Sequence, residues 1–146
     1  MQVSVVSTEA LLPLRMAVLR NGTPSQDPRY SDDDAPGSVN LGIFEGAELV
    51  ACSTWLPRPW PLDPEKPAMQ LRGMAVAQRL QGSGVGATLL AAGIERAKEL
   101  GCTYVWARAR DNALYFYERR GFETVGDQFI DEASGLGHHL VVKTLA

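Results

Sequence analysis

The chain has 146 residues, 45% of them apolar and 21% charged, with a formal net charge of −3. That length suits one domain with its own hydrophobic core, and the composition is that of a soluble globular protein. The acidic balance and the scattered lysines and arginines exclude a nucleic-acid binder held by phosphate contacts, and no apolar stretch approaches the roughly 18 residues of a membrane span.

Residues 2–7 are a β-branched run and predict a first strand; with no basic region and no long apolar segment they are not a signal peptide. Thr8 is expected to cap a helix over 9–20, where Leu11, Leu14, Val18 and Leu19 fall at helical spacing and Pro13 lies near the first turn. Asn21-Gly22-Thr23-Pro24 ends that helix. Residues 25–40 are polar and rich in Asp, Pro and Gly, a loop with room for a short helix. Residues 41–44 and 49–56, flanking Glu45-Gly46-Ala47-Glu48, read as a hairpin. Prolines 57, 59, 61, 64 and 67 exclude a helix or a central strand there, so 57–67 is a stiff loop around Trp60.

A strand over 70–76 then feeds a glycine turn and a helix over 85–100, with Leu90, Ile94 and Ala97 on one face and Gly101 at its left-handed cap. Residues 102–109 predict a buried strand. A short helix over 113–120 follows, capped by Asp111 or Asn112 and stopped by Gly121. Strands over 122–130 and 139–145, joined by 131–137, finish the chain. Cys52 and Cys102 both fall in predicted strands, are not at a metal-ligand spacing, and read as buried free thiols of a reducing, cytoplasmic compartment. No metal is expected. The order of elements predicts an α/β mixed sheet with helices on its faces, and no linker or repeat divides residues 1–146.

The junction of strand and helix carries the chemistry. Gln81-Gly82-Ser83-Gly84-Val85-Gly86-Ala87-Thr88 holds three glycines in five positions. Such a turn aims free backbone N–H groups at one spot beside the positive end of the helix dipole, which makes an anion site of the kind that holds phosphate. Glycine serves where the turn visits φ > 0 and where a side chain would block the ligand. A P-loop reading fails, because Gly86 is followed by Ala87-Thr88 and no lysine reaches the phosphates. The dinucleotide pattern G-x-G-x-x-G/A is formally met by Gly82, Gly84 and Ala87. Its acidic ribose contact is missing, since the next strand ends in Ala107-Arg108-Ala109.

The third pattern, Q/R-x-x-G-x-G/A, is met by Gln81 to Gly86, and here the sequence resembles the GNAT (Gcn5-related N-acetyltransferase) superfamily. The family's strand-and-turn signature runs from Val76 to Gly86, with Gln78 where proline is common. A second signature matches Arg110, Ala113, Phe116-Tyr117-Glu118 and Gly121-Phe122, with Arg110 in place of the usual Asn. The resemblance implies a single-domain GNAT fold: a central, mostly antiparallel mixed sheet with one splayed pair of strands, flanked by helices.

It also implies acetyl-CoA as co-substrate. Backbone N–H groups from Gln81, Gly82, Ser83, Gly84, Val85, Gly86, Ala87 and Thr88 would bind its pyrophosphate, Gln81 would help hold the turn, and the main chain of Met74, Ala75 and Val76 would bind the pantetheine arm. Helix pattern alone favours Tyr117 as a packing residue, but in the Phe116-Tyr117-Glu118 context it aligns with the family's tyrosine credited as the general acid for the leaving thiolate. Tyr115, on another face of that helix, reads as structural. Arg110 either meets a CoA phosphate or caps the strand end. The general base stays open among Asp32, Asp33, Asp34, Glu45, Glu48, His138 and His139; Asp32–Asp34 read better as a solvated run, and one of the two histidines should face inward.

The acceptor pocket of this fold would draw on 20–40, 55–60 and 128–139. Trp55 and Trp60 either wall it or pin the proline loop, and Arg58 and Arg72 are candidates to meet a carboxylate. The activity implied is acetyl transfer to a primary amine of a small molecule or peptide by direct attack, since neither cysteine has an activating partner. The alternatives are a GNAT-fold acyl-CoA sensor without turnover and, from the formal glycine match, a nucleotide-dependent oxidoreductase. Homodimers are common in the family, with edge strands and exposed tryptophans as the candidate surfaces.

Overall fold

The structure, a computed structural model, describes residues 1–145. Strand β1 (Val3–Val6) leads into helix α1 (Thr8–Leu19), whose N-cap is Ser7: its hydroxyl accepts from the Ala10 N–H at 3.2 Å. Thr8, expected as the cap, is the first helical residue, and its hydroxyl instead accepts from Asn40 Nδ2 at 3.2 Å. No helix forms between 21 and 38, only turns. Strands β2 (Val39–Glu45) and β3 (Glu48–Pro57) make the expected hairpin, and the proline-rich segment after it is turns and irregular chain.

Strand β4 (Ala68–Val76) runs into the glycine turn and helix α2 (Val85–Glu99), followed by β5 (Tyr104–Arg110). Helix α3 is only Leu114–Glu118, shorter than expected. A 3-10 turn over Asp111–Ala113 precedes it, and Ala113, not Asp111 or Asn112, stands at its N-cap. The Asp111 carboxylate is already engaged by Gln128 and His139. Strands β6 (Glu123–Ile130) and β7 (Gly137–Thr144) complete the chain. Among the described residues no helix is long and apolar enough to cross a membrane.

The seven strands form one sheet in the order β1-β2-β3-β4-β5-β7-β6. Every neighbouring pair is antiparallel except β4 and β5, which α2 joins as a crossover and which run parallel. That parallel pairing covers only Ala68–Leu71 against Tyr104–Ala107; beyond it the two strands part. The parting begins at a bulge: Thr54 pairs with Arg72 and Cys52 with Ala75, so Gly73 and Met74 together face the single residue Ser53. Gly73 has φ 60°, and a Cβ there would lie 2.9 Å from Arg15 Nε and 3.0 Å from the Tyr30 ring, so conformation and crowding both demand glycine. The mixed sheet with one splayed pair is the GNAT architecture.

The main core lies between α2 and the sheet, where Leu89, Leu90 and Ala97 meet Trp55, Leu71 and Val105. Trp55 is wholly inside, its Nε1 donating to Ser53 Oγ at 2.8 Å. Gly93 makes room for it, since a Cβ there would stand 1.9 Å from the indole. Trp60 packs on Trp106 with ring centroids 5.7 Å apart, and Trp106 Nε1 donates to Arg58 O at 3.0 Å. Trp60 and Trp106 therefore pin the proline loop to the body while Trp55 fills the core under α2; all three are buried and offer no surface to a second copy. Cys52 is buried in β3, and burial pushes its thiol up to about 12. Cys102 lies in the turn before β5 rather than in a strand, and is only half-buried.

Candidate active site

Where β4 and β5 part, a cavity of about 910 Å³ opens between Met74–Val76 and Ala107–Arg110, bounded by the glycine turn, the end of α1 and α3. The stretch of β4 from Arg72 to Val76 is paired to β3 alone, so its β5 side faces this cleft with no strand partner, and Val76 O there accepts only from the Gln81 side chain. A second chamber of about 280 Å³ lies at the vertex of the splay and shares Arg20, Tyr30, Arg108 and His138 with the first. Residues from the 21–38 loop and from Asp131 to His138 line it, as the acceptor-side expectation had it; the tryptophan loop does not.

The turn is built by its own hydrogen bonds. The Gln81 N–H donates to Gln78 O at 3.3 Å, Ser83 N–H to Leu80 O at 3.1 Å and Thr88 N–H to Gly84 O at 3.1 Å. Those three donors, expected to face the ligand with the rest, are instead engaged within the chain. The N–H groups of Gly82, Gly84, Val85, Gly86 and Ala87 make no hydrogen bond among the described residues. Gly82 (φ 82°) and Gly84 (φ 92°) hold the left-handed conformations, with open space where a Cβ would stand. Gly86 serves differently: it is helical, and a Cβ would touch Val76 at 3.4 Å and the Phe116 ring at 3.5 Å. Gln81 Nε2 donates to Val76 O at 3.1 Å and ties the turn to the strand end. No acidic residue occupies the first turn of α2, so its positive end is uncompensated.

Tyr117 lines the same cleft with its ring between Phe116 and Phe122, both edge-on at 5.2 Å. Burial pushes its phenol well above the usual tyrosine range, and its hydroxyl makes no hydrogen bond among the described residues. It is a protonated donor at neutral pH with no partner among the described residues. Tyr115, expected to be structural, is exposed, with the Arg119 guanidinium 5.5 Å from its ring.

The acidic candidates separate by their partners. Asp33 is buried in a two-pronged ion pair with Arg15, at 2.8 and 2.9 Å, and also accepts from the Tyr30 N–H at 2.9 Å. Burial alone would raise its pKa, but these hydrogen bonds and the charges of Arg15 and Arg72 outweigh burial and hold the carboxyl below its usual value. Asp32 takes Arg72 at 2.7 and 2.8 Å and Arg58 at 3.0 Å. Asp32 and Asp33 are therefore structural anchors rather than part of a solvated run, and only Asp34 is exposed. Glu45 and Glu48 hold the exposed Arg79 at 2.8 and 2.9 Å, away from both cavities.

The two histidines face opposite ways, as strand alternation requires. His139 Nδ1 lies 2.6 Å from Asp111 Oδ1, outside both cavities. His138 is buried, stacks on Phe129 and lines both cavities. Its Nδ1 is 3.0 Å from Leu136 O; a carbonyl only accepts, so Nδ1 carries a hydrogen, which in the neutral ring makes Nε2 the acceptor. Arg110 is turned away from its own strand: Nη2 donates to Leu19 O at 2.6 Å, at the C-terminal end of α1. Among the described residues no group of His, Cys, Asp and Glu is placed to hold a metal.

Sequence reasoning missed Arg15, Arg20, Tyr30 and Gly73. Arg15 had a signal: it stands four residues after Leu11 on the buried face of α1, where an arginine needs a buried acid. Arg15 and Arg72 close on opposite sides of Tyr30, each 4.2 Å from the ring centroid.

A sequence model of the Acetyltransferase (GNAT) family matches residues 9–122. The uncharacterized N-acetyltransferase YitI of Bacillus subtilis (strain 168) is 31% identical over 99% of this chain and 97% of its own length. The crystal structure of Escherichia coli ElaA matches with a TM-score of 0.80 at 21% identity, covering 98% of this chain and 99% of that one. An acyl-CoA N-acyltransferase from Pseudomonas aeruginosa matches with a TM-score of 0.79 at 19% identity, again over 98% and 99% of the two chains.

Proposed function

The chain belongs to the GNAT acetyltransferase family, and from that premise we propose that it moves the acetyl group of acetyl-CoA onto a primary amine by direct attack. The observation that carries the reading is one cleft bounded by the glycine turn with its five unpartnered N–H groups, four of them on residues that line the cleft, by a strand edge that β5 leaves unpaired, and by a phenol with no partner among the described residues. The residues present fit acetyl-CoA: the turn leaves open space at Gly82 and Gly84 for an approaching phosphate, and the helix dipole favours an anion there.

Gly82, Gly84, Val85, Gly86 and Ala87 would hold the pyrophosphate through their N–H groups. Met74, Ala75 and Val76 would hold the pantetheine arm through their main chain, and Gln81 and Thr88 keep the turn in shape. The thioester supplies an activated acyl group and a thiol leaving group. His138 Nε2 takes the proton of the attacking amine as the nitrogen–carbon bond forms, and the Tyr117 hydroxyl gives its proton to the departing sulfur. The products are the N-acetylated amine and free CoA, after which solvent restores both groups. The free thiols of Cys52 and Cys102 accord with a reducing, cytoplasmic setting.

Thermal unfolding with acetyl-CoA, against NADH and ATP, tests this first. A ligand at 100 times its Kd adds about 2.7 kcal/mol of stability, an easily read shift in Tm. Stabilisation by acetyl-CoA alone is expected; none overturns the reading, and a shift with NADH would favour an oxidoreductase. A wild-type chain that binds acetyl-CoA yet acetylates no amine on a broad panel would be a sensor.

A further inference from the structure

Arg20 and Arg110 meet in the cleft, and neither forms an ion pair among the described residues. Arg20 is 7% exposed and lines both cavities, yet no carboxylate pairs with it among the described residues. Its Nε donates to Asp27 O at 3.0 Å and its Nη1 reaches Leu19 O at 3.4 Å, both neutral carbonyls. Arg110 arrives from β5 and donates to the same Leu19 oxygen at 2.6 Å, also without a carboxylate. Two guanidiniums thus converge on one carbonyl. Burial first, and the charge of Arg20 as well, lower the pKa of Arg110.

The surrounding arginines show how this protein usually treats such a charge. Arg15 has Asp33, Arg58 and Arg72 share Asp32, and Arg108 has Asp131 at 3.4 Å. Two like charges meeting in a partly dry space cost free energy that the partial charge at a helix C-terminus offsets only in part. An anion between them would remove that cost.

We propose that Arg20 and Arg110 bind the carboxylate of the acceptor, so that the substrate is an amine of amino-acid size bearing a free carboxylate. The inference rests on reading the cleft as an acetyl-transfer site. The vertex chamber, about 280 Å³, lies at the small end of ligand pockets and suits a single amino acid better than a folded polypeptide. It touches β4 at Gln70–Gly73 and is lined by Arg20, while Arg110 and the glycine turn line only the larger cavity, so the arginine pair stands where the two spaces meet. At the rise of a strand, roughly 10 Å of β4 separates Gly73, at the chamber, from Val76, where the strand runs on to the glycine turn. His138 stands in the same chamber, where the amine of a molecule anchored by its carboxylate would meet Nε2.

The test is binding to the CoA-saturated protein, read by thermal unfolding, so it needs no turnover. Leucine, phenylalanine, glutamate and lysine are each compared with their own carboxamides. At least one acid is expected to stabilise the protein at concentrations about ten- to a hundredfold below its carboxamide. Arg20→Gln and Arg110→Gln should each erase that preference while leaving acetyl-CoA affinity within about twofold. Arg110 is the less buried of the two, and glutamine keeps a donor for Leu19 O, so the second variant remains informative if the first fails to fold. Equal binding of acid and carboxamide in every pair overturns the proposal. A loss of acetyl-CoA affinity in the variants, with acid binding unchanged, assigns the arginines to the donor's phosphates and also overturns it. Failure of the acetyl-transfer reading shows separately, as absent stabilisation by acetyl-CoA.

Discussion

At the glycine turn the cleft is lined by peptide groups from one short run of chain, Gly82 to Ala87, held in shape by that run's own hydrogen bonds. At the vertex it is lined by side chains from α1, the 21–38 loop, β4, β5 and β7, held by ion pairs and by arginines stacked on Tyr30. The first site depends on conformation, so substitutions there act through φ and close approach. The second depends on charge balance in a partly dry space, so losing one charged side chain strands another.

The largest effect should come from the vertex. Asp33→Ala leaves Arg15 buried and unpaired and should cost about 3–5 kcal/mol, read by urea unfolding; a cost near zero would erase the contrast between the two ends. The folded-state pKa of Asp33 lies below its unfolded value. The pair therefore contributes fully above about pH 4 and is lost as the pH falls through the folded value. Wild-type stability should decline on acidification there, and Asp33→Asn should flatten that decline.

Between the two ends, Tyr117→Phe should lower kcat about a hundredfold while acetyl-CoA affinity stays unchanged, checked by steady-state kinetics and calorimetry. Equal kcat would make Tyr117 a packing residue. At the turn, Gly84→Ala forces a side chain into φ 92° and should cost about 1–2 kcal/mol of stability along with acetyl-CoA affinity. Gly86→Ala, already helical, should show the smaller loss. Smallest of all, Arg79→Ala removes only exposed pairs with Glu45 and Glu48 and should leave Tm and activity unchanged.

The contrast also explains what could be read from sequence. Strands, helices and the glycine turn follow local rules of periodicity and φ, so the order of elements and the family resemblance emerged from the residues alone. The partners of Asp32 and Asp33 lie far off in sequence, on α1, β4 and the proline-rich loop, and no local pattern distinguishes an anchored Asp from a solvated one. Trp55 looked free to wall a pocket because its partner is an absence, the missing side chain of Gly93. Ser7 and Thr8 are both good caps, and the choice between them depended on Asn40, which takes the Thr8 hydroxyl. Which histidine faces inward followed from the register of β7 against β5, where His138 lies opposite Arg110.

Strand β7 lies between β5 and β6, and β6 has no other sheet neighbour. A ribosome delivers β6 before the strand that must join it to the rest. Until β7 emerges, the nascent chain already contains the glycine turn and Tyr117, but it lacks His138 and one wall of the vertex chamber. The glycine-turn end of the cleft can thus assemble during synthesis while the vertex chamber cannot, and in that interval the open edges of β5 and β6 are exposed to mispairing or to chaperones.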